Sequence, residues 1–435
     1  MEKELKSSYY LLKGRTKRKS KYASIQNFVW FFLLFFSFSL PVNFQNVKII
    51  LLVILLVISM LNFFKSNRIF DKKYLGLLLL WLMFACPVVL IGFLKQNVGA
   101  SAFAKVELLY PLLLFLALGS LKNKNVISVI YKAMLLSSIF ISFYTFLLLL
   151  YNAGYLPISS FWIIDDTSAV GLHEGYTHIT NTNLSMLIFI FPCICSLTSK
   201  ERKKLRINSH LCRFCIAISF FAMFLSGRRI LWIIAIISLV ILFFRIRMNP
   251  LNKMFIVLFI FISAVIIFVV LGDKFNISID GLWDRFINVF SEYDEYGQEN
   301  VRYIQMNKLL EGFRNNVVFG AGGGAVLPGY YRSLESPWIF EASYHMILFN
   351  SGIVFFSIYV LFFARLLFLL LKKHKYYYGS ISMFSALLFS IIANATNPYF
   401  SASFDFLFFI FVPIIFLNNK NYMRKGRAKK WKELY

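Results

Sequence analysis

The stretch Tyr74-Leu-Gly-Leu-Leu-Leu-Leu-Trp-Leu-Met-Phe-Ala-Cys-Pro-Val-Val-Leu-Ile-Gly-Phe-Leu94 decides the fold, because it contains no charged side chain. A helix rises about 1.5 Å per residue, so roughly 20 apolar residues cross the hydrocarbon core of a bilayer. Runs of this kind recur almost back to back, at 24–42, 47–64, 74–94, 104–121, 126–151, 180–198, 211–227, 230–244, 254–272, 346–371, 380–397 and 402–418. Strands do not suit them: a sheet edge in lipid leaves backbone groups unpaired, and the runs lack the alternation of a barrel. The expectation is an all-α integral membrane protein of about twelve transmembrane helices.

Composition agrees, with 59% of the 435 residues hydrophobic and 15% charged, far from the balance of a soluble domain. The formal charge of +26 would suggest nucleic acid in a soluble protein. Here most Lys and Arg fall on alternate connections, the positive-inside bias, which predicts both termini in the cytoplasm. The basic balance then reports topology and contact with membrane lipids, not nucleic acid. The first apolar run follows a basic segment but lacks a small-residue cleavage site, and it reads as a retained helix. The predicted order is a basic N-terminus (1–23), nine spans (24–272), a large outer loop (273–337), three spans (338–418) and a basic tail (419–435).

The outer loop is mixed-charge, aromatic and glycine-containing, and reads as a helical cap. Glu299 to Phe313 has helical spacing and runs into Gly320-Ala-Gly-Gly-Gly324. The five cysteines, Cys86, Cys193, Cys195, Cys212 and Cys215, lie in or beside spans and suggest no disulfide framework. Neither the pairs Cys193/Cys195 and Cys212/Cys215 nor the loop residues Asp165, Asp166, His173, Glu174 and His178 have convincing metal-ligand spacing.

Certain polar residues stand against this background. Arg228 and Arg229 lie at an outer turn, where the positive-inside trend does not expect them. Either they snorkel to phospholipid head groups or they clamp an anion; guanidinium forks suit phosphate oxygens, and the second reading is preferred. Glu341 and His345, four residues apart at the start of the tenth span, read as one helical face, with Glu341 as a general base. Arg302, Arg314 and Arg332 can gather on the same anion or serve as surface ion pairs. Gly322, within the glycine run, presents either a backbone nest for an anion or a hinge. Mid-span positions read as nearly free of ionisable residues apart from Lys132 and Arg365, which counts against a transporter, as does the lack of internal repeats. No phosphate-binding Gly-Lys-Ser/Thr loop, Gly-Xaa-Ser-Xaa-Gly elbow or His-Glu-Xaa-Xaa-His is present, so nothing supports ATP-driven or such hydrolytic chemistry.

Three pieces carry a family resemblance: Leu225-Ser-Gly-Arg-Arg229; Asn300-Val-Arg302 followed by Val318-Phe-Gly-Ala-Gly-Gly-Gly324; and Glu341 to Gly352. In this order the chain resembles the bacterial surface-polysaccharide polymerases and ligases, namely the Wzy-type O-antigen or capsule polymerases and the related O-antigen ligases. The resemblance implies a GT-C-like glycosyltransferase in the bacterial cytoplasmic membrane, acting on undecaprenyl-diphosphate-linked glycans as donor and acceptor. It implies no nucleotide-sugar cofactor and no essential metal, and a chain-length-regulating co-polymerase as partner. Arg228, Arg229 and Arg302 would hold the diphosphate, and Glu341 would accept the acceptor proton. His345, Arg314, Arg332, Tyr344 and Gly322 are further substrate-binding candidates. Where the ligase pattern has histidine, this chain has Glu341, which tilts the expectation toward a polymerase. The alternatives are a ligase and a lipid-linked glycan transporter.

Overall fold

A computed structural model describes residues 25–66, 72–121, 126–152, 169–173, 176–226, 228–245, 251, 301–374 and 377–418. The expected ninth span, the first part of the large outer loop (273–300), both terminal segments and Asp165, Asp166 and Glu174 lie outside the described residues, as do the side chains of His173 and His178.

The described chain is a helical bundle. Its helices are α1 (Ile25–Ser39), α2 (Gln45–Ser66), α3 (Lys72–Leu94), α4 (Ala100–Ser120), α5 (Val126–Asn152), α6 (Leu187–Cys195), α7 (Ser199–Leu205), α8 (Ser209–Phe224), α9 (Arg229–Arg245), α10 (Val301–Arg314), α11 (Ser343–Lys373), α12 (Ser380–Asn394), α13 (Tyr399–Ala402) and α14 (Phe408–Asn418). Among the described residues five helices are long and apolar enough to cross a membrane: Gln45–Phe64, Leu75–Leu94, Ala100–Ser120, Val126–Tyr151 and Ser343–Lys373. A sixth span arises if Asn183–Cys195 and Ser199–Leu205, bent by 107° at their junction, count together. The protein is therefore a multi-pass membrane protein. On α2, Ile49, Ile50, Val53 and Val57 face outward, as lipid contact allows and water would not.

One local departure from the expected all-α fold is an antiparallel hairpin, β1 (Ala169–His173) and β2 (Tyr176–Thr180). It precedes the 3₁₀ turn Asn183–Met186, so the helix of the sixth apolar run begins later than its hydropathy suggests.

Aromatic side chains fill the interior. Phe189 stacks on both Phe38 and Phe409, with ring centroids 5.9 and 5.2 Å apart, joining α6 to α1 and α14. Trp81 of α3 meets Phe362 of α11 edge-on at 5.0 Å. The second segment of α4, Lys105–Leu109, widens to a π-helix. Such a turn misaligns the regular carbonyls, and Trp81 Nε1 donates to the Glu107 carbonyl at 2.6 Å.

Buried charge also holds the bundle. Lys48 Nζ lies 2.9 Å from Asp405 Oδ1, with side chains 1% and 0% exposed. Asp405 Oδ2 accepts from the Val42 amide at 2.9 Å and from Gln45 Nε2 at 3.2 Å, and Lys48 Nζ donates to the Leu40 carbonyl at 2.7 Å. The ion pair and these bonds compensate both charges and tie the α1–α2 turn to the segment before α14, as a buried pair requires.

The glycine run meets α11 where that helix breaks. Gly352 takes φ 63°, a left-handed value inside an otherwise right-handed helix, which only glycine adopts without cost. The break frees backbone groups that residues 317–322 capture. Ala321 N donates to Phe349 O and Gly322 N to Asn350 O, while Ile353 N and Val354 N donate to Val317 O and Val318 O. A Cβ on Gly352 would collide with Gly320 N and Val318 O, and one on Gly322 with the Gly92 backbone. The run is thus a packed wedge between α3 and α11.

Candidate functional site

The best-defined polar constellation sits just before α11. The helix α10 is amphipathic, and its Arg302 and Gln305, three residues apart, share a face. Gln305 is fully buried and its Oε1 accepts from the Glu341 amide at 2.9 Å, which fixes the backbone that carries the carboxylate. Phe340 is fully buried and stacks on Tyr330 with ring centroids 6.3 Å apart. Between these anchors the Glu341 carboxylate meets two guanidinium groups. Arg302 Nε donates to Oε2 at 2.7 Å and Arg332 Nη2 lies 2.5 Å from Oε1. The Glu341 side chain is 17% exposed and the two arginines 48% and 42%, so the cluster stands at an exposed edge of the bundle.

This geometry corrects one expectation. Glu341 and His345 do not share a helical face, because α11 starts at Ser343 with Ala342 as its cap. Glu341 lies in the bend before the helix, and its carbonyl accepts from Ser343 N at 2.8 Å. His345 lies half-buried in the first turn and takes no part in the bonds around Glu341. The anion-nest reading of Gly322 is corrected as well. The amides of Gly320, Ala321, Gly322 and Gly323 are donated to Asn316, Phe349, Asn350 and Val88 carbonyls, leaving none of the four for a ligand. Arg314 is exposed in the last turn of α10 and does not join Glu341.

Arg228 belongs to a second constellation. Its Nη1 donates to Ser185 Oγ and lies 3.5 Å from the Tyr399 hydroxyl. Among the described residues it has no carboxylate partner, which leaves a half-buried guanidinium free to meet an anion. Arg229 opens α9 beside it. Near Ser185, in the same 3₁₀ turn, Asn183 is fully buried and both its side-chain polar atoms lack partners. Among the described residues no hydrogen bond or ion pair joins Arg228 to Glu341, so the arginines grouped by sequence fall into two sets.

The hub of the second set is α13, a single turn that sequence reasoning passed over. Tyr399 faces Arg228, the Phe400 amide donates to Asn394 Oδ1 at 3.0 Å, and Ser401 Oγ donates to Glu107 Oε1 at 2.6 Å. Tyr344 closes it from α11, its hydroxyl donating to the Ile391 carbonyl at 2.5 Å beside Asn394. Glu107 is only 2% exposed, and its Oε2 has no partner. The expectation of spans nearly free of ionisable groups is therefore corrected: Lys48, Glu107 and Asp405 are buried charges or acids within the bundle. The missed signal was an acid inside an apolar run, which in a membrane is functional by default.

Cys193, Cys195, Cys212 and Cys215 are buried free thiols on α6 and α8, and Cys193 Sγ lies 3.1 Å from Ser382 Oγ. Among the described residues no group of three or more His, Cys, Asp or Glu is placed to hold a metal ion.

Chemically, the Glu341 cluster offers an acceptor for a proton directly beside two fixed positive charges, and the Arg228 cluster offers a third. No protein-family model matches this chain, and no curated protein matches it.

Proposed function

We propose that the protein is a membrane glycosyltransferase that polymerises undecaprenyl-diphosphate-linked repeat units into surface polysaccharide. The reading takes the chain as a twelve-span, GT-C-like protein of the bacterial cytoplasmic membrane, with both termini in the cytoplasm and the arginine clusters on the outer face. One observation carries it: the Glu341 carboxylate, at an exposed edge of the bundle, has a guanidinium on each oxygen. A carboxylate so bracketed couples proton acceptance to anion binding in one place.

In the proposed reaction the donor diphosphate draws Arg302 and Arg332 onto its own oxygens, which releases Glu341. A hydroxyl of the acceptor glycan attacks the donor's anomeric carbon. The bond from that carbon to the phosphate oxygen breaks, the new glycosidic bond forms, and the hydroxyl proton passes to Glu341. The lipid diphosphate leaves as an anion and needs charge stabilisation rather than a proton, which preorganised guanidinium groups supply. Arg228 and Arg229 provide further positive charge for a lipid-linked anion, and the co-polymerase is the expected regulator of length.

The test is the size distribution of surface glycan in a strain lacking this gene, beside wild type and a complemented strain. Collapse of the ladder to single repeats on the final acceptor supports polymerisation. Long polymer retained on its lipid carrier would identify a ligase instead. Loss of every repeat from the outer face would favour a transporter, the reading to which the buried acid Glu107 lends weight.

A further inference from the structure

The π-turn of α4 carries Glu107 into the bundle interior, where it is 2% exposed and accepts one hydrogen bond, from Ser401 Oγ at 2.6 Å. The groups around it come from every neighbouring element. Trp81 of α3 donates to the Glu107 carbonyl, Lys105 of the same turn lies over the Tyr110 ring at 5.7 Å, and α13 brings Ser401. From α11 comes Tyr359, whose ring centroid lies 6.2 Å from that of Trp81. None of these is a cation paired with the carboxylate, and among the described residues no ion pair includes Glu107. Glu107 Oε2 and the Tyr359 hydroxyl, each on a side chain at most 2% exposed, both lack hydrogen-bond partners.

We propose that Glu107 is a membrane-embedded proton-binding site, linked through α13 to the anion site at Arg228. Burying an ionised carboxylate without a cation costs far more than burying a neutral acid. A carboxylate oxygen can only accept, whereas the protonated acid gains a donor. One proton on Oε2 therefore removes the uncompensated charge and lets that oxygen donate to a buried water. The balance is one proton taken from the aqueous phase by one carboxylate, with no other bond made or broken. Ser401 and Tyr399 lie two residues apart on α13, so the charge of Glu107 is felt where Arg228 waits for an anion. The neutral acid leaves that site positive, while the ionised form opposes an anion there. This link rests on the Arg228 reading above, but the proton site itself does not.

The experiment is infrared spectroscopy of the full-length protein in lipid nanodiscs, in mildly acidic to mildly alkaline buffer, for wild type, Glu107→Gln, Ser401→Ala and Glu341→Gln. The expected result is a neutral-acid carbonyl band in wild type that moves in deuterated buffer, is missing in Glu107→Gln and persists in Glu341→Gln. In Ser401→Ala the band is retained but shifted, because one hydrogen bond to the acid is gone; this arm decides the matter if Glu107→Gln fails to fold. A wild-type spectrum without the band, or a band unchanged in both Glu107→Gln and Ser401→Ala, overturns the proposal. Titration of the same samples with inorganic pyrophosphate separates the two readings. Binding that weakens on alkalinisation in wild type but not in Glu107→Gln supports the link, binding equally pH-dependent in both overturns it, and no binding at all removes the anion site at Arg228.

Discussion

Glu341 and Glu107 carry the same functional group into different surroundings. Glu341 sits at the edge of the bundle with an arginine on each oxygen, whereas Glu107 sits inside with a single serine and an unpartnered oxygen. A third acid, Asp405, is as deeply buried as Glu107 but is matched by Lys48 and two further donors. The comparison teaches that depth alone does not decide how an acid is used in a membrane protein. The number of cations and donors that the packing delivers does so, because each compensates a different part of the desolvation cost.

Substitutions along this series sharpen or break the comparison. The largest effect is expected from Glu341→Gln, which should lower polymer formation by roughly 100- to 10,000-fold, the range for loss of a general base. Stability in detergent should change little, because the two arginines remain hydrated; unchanged ladders at normal protein levels would remove Glu341 from the chemistry. Next comes Asp405→Asn, which strands the Lys48 ammonium and should destabilise by about 3 to 5 kcal/mol, read by thermal unfolding. The double variant Lys48→Met with Asp405→Leu should recover most of that loss, and a failure to recover would show that the pair does more than neutralise itself.

Glu107→Gln is expected to fall well below Asp405→Asn, at under about 1 kcal/mol, since glutamine keeps the acceptor for Ser401 and imitates a neutral acid. A loss as large as that of Asp405→Asn would mean that Glu107 is ionised, and the contrast drawn above would fail. Smallest of all, Glu311→Gln breaks an exposed pair with Lys308 on α10, 65% and 50% exposed and 3.0 Å apart. Such pairs contribute about 0.2 to 0.5 kcal/mol, less in salt, so the unfolding curve should barely move.

Much of the bundle was legible from hydropathy. The apolar runs at 47–64, 74–94, 104–121 and 126–151 correspond to helices long enough to span, and the cap helix expected over Glu299 to Phe313 forms as Val301–Arg314. The sixth run was less legible, because Thr180 ends the hairpin strand and the polar residues after it lead into a 3₁₀ turn before the helix begins. Around the site, residue type was readable and register was not. Spacing placed Glu341 and His345 on one helical face, but the helix starts at Ser343, two residues past Glu341. The glycine run signalled backbone freedom without revealing that its amides are used on the broken turn at Gly352.

Sequence by itself determined the solvent of this protein and the chemical kinds of group it carries at the ends of its helices. Length and apolarity add along the chain, so a local sum suffices to recognise a segment that can span a bilayer. Only the tertiary structure decided which of those groups meet. Arg302 reaches Glu341 across 39 residues, Ser401 reaches Glu107 across 294, and Asp405 reaches Val42 across 363. These pairings depend on how helices pack, on where α4 widens and on where α11 breaks. A hydrogen bond or ion pair is a property of two residues at one distance, and no local sum along the sequence contains it.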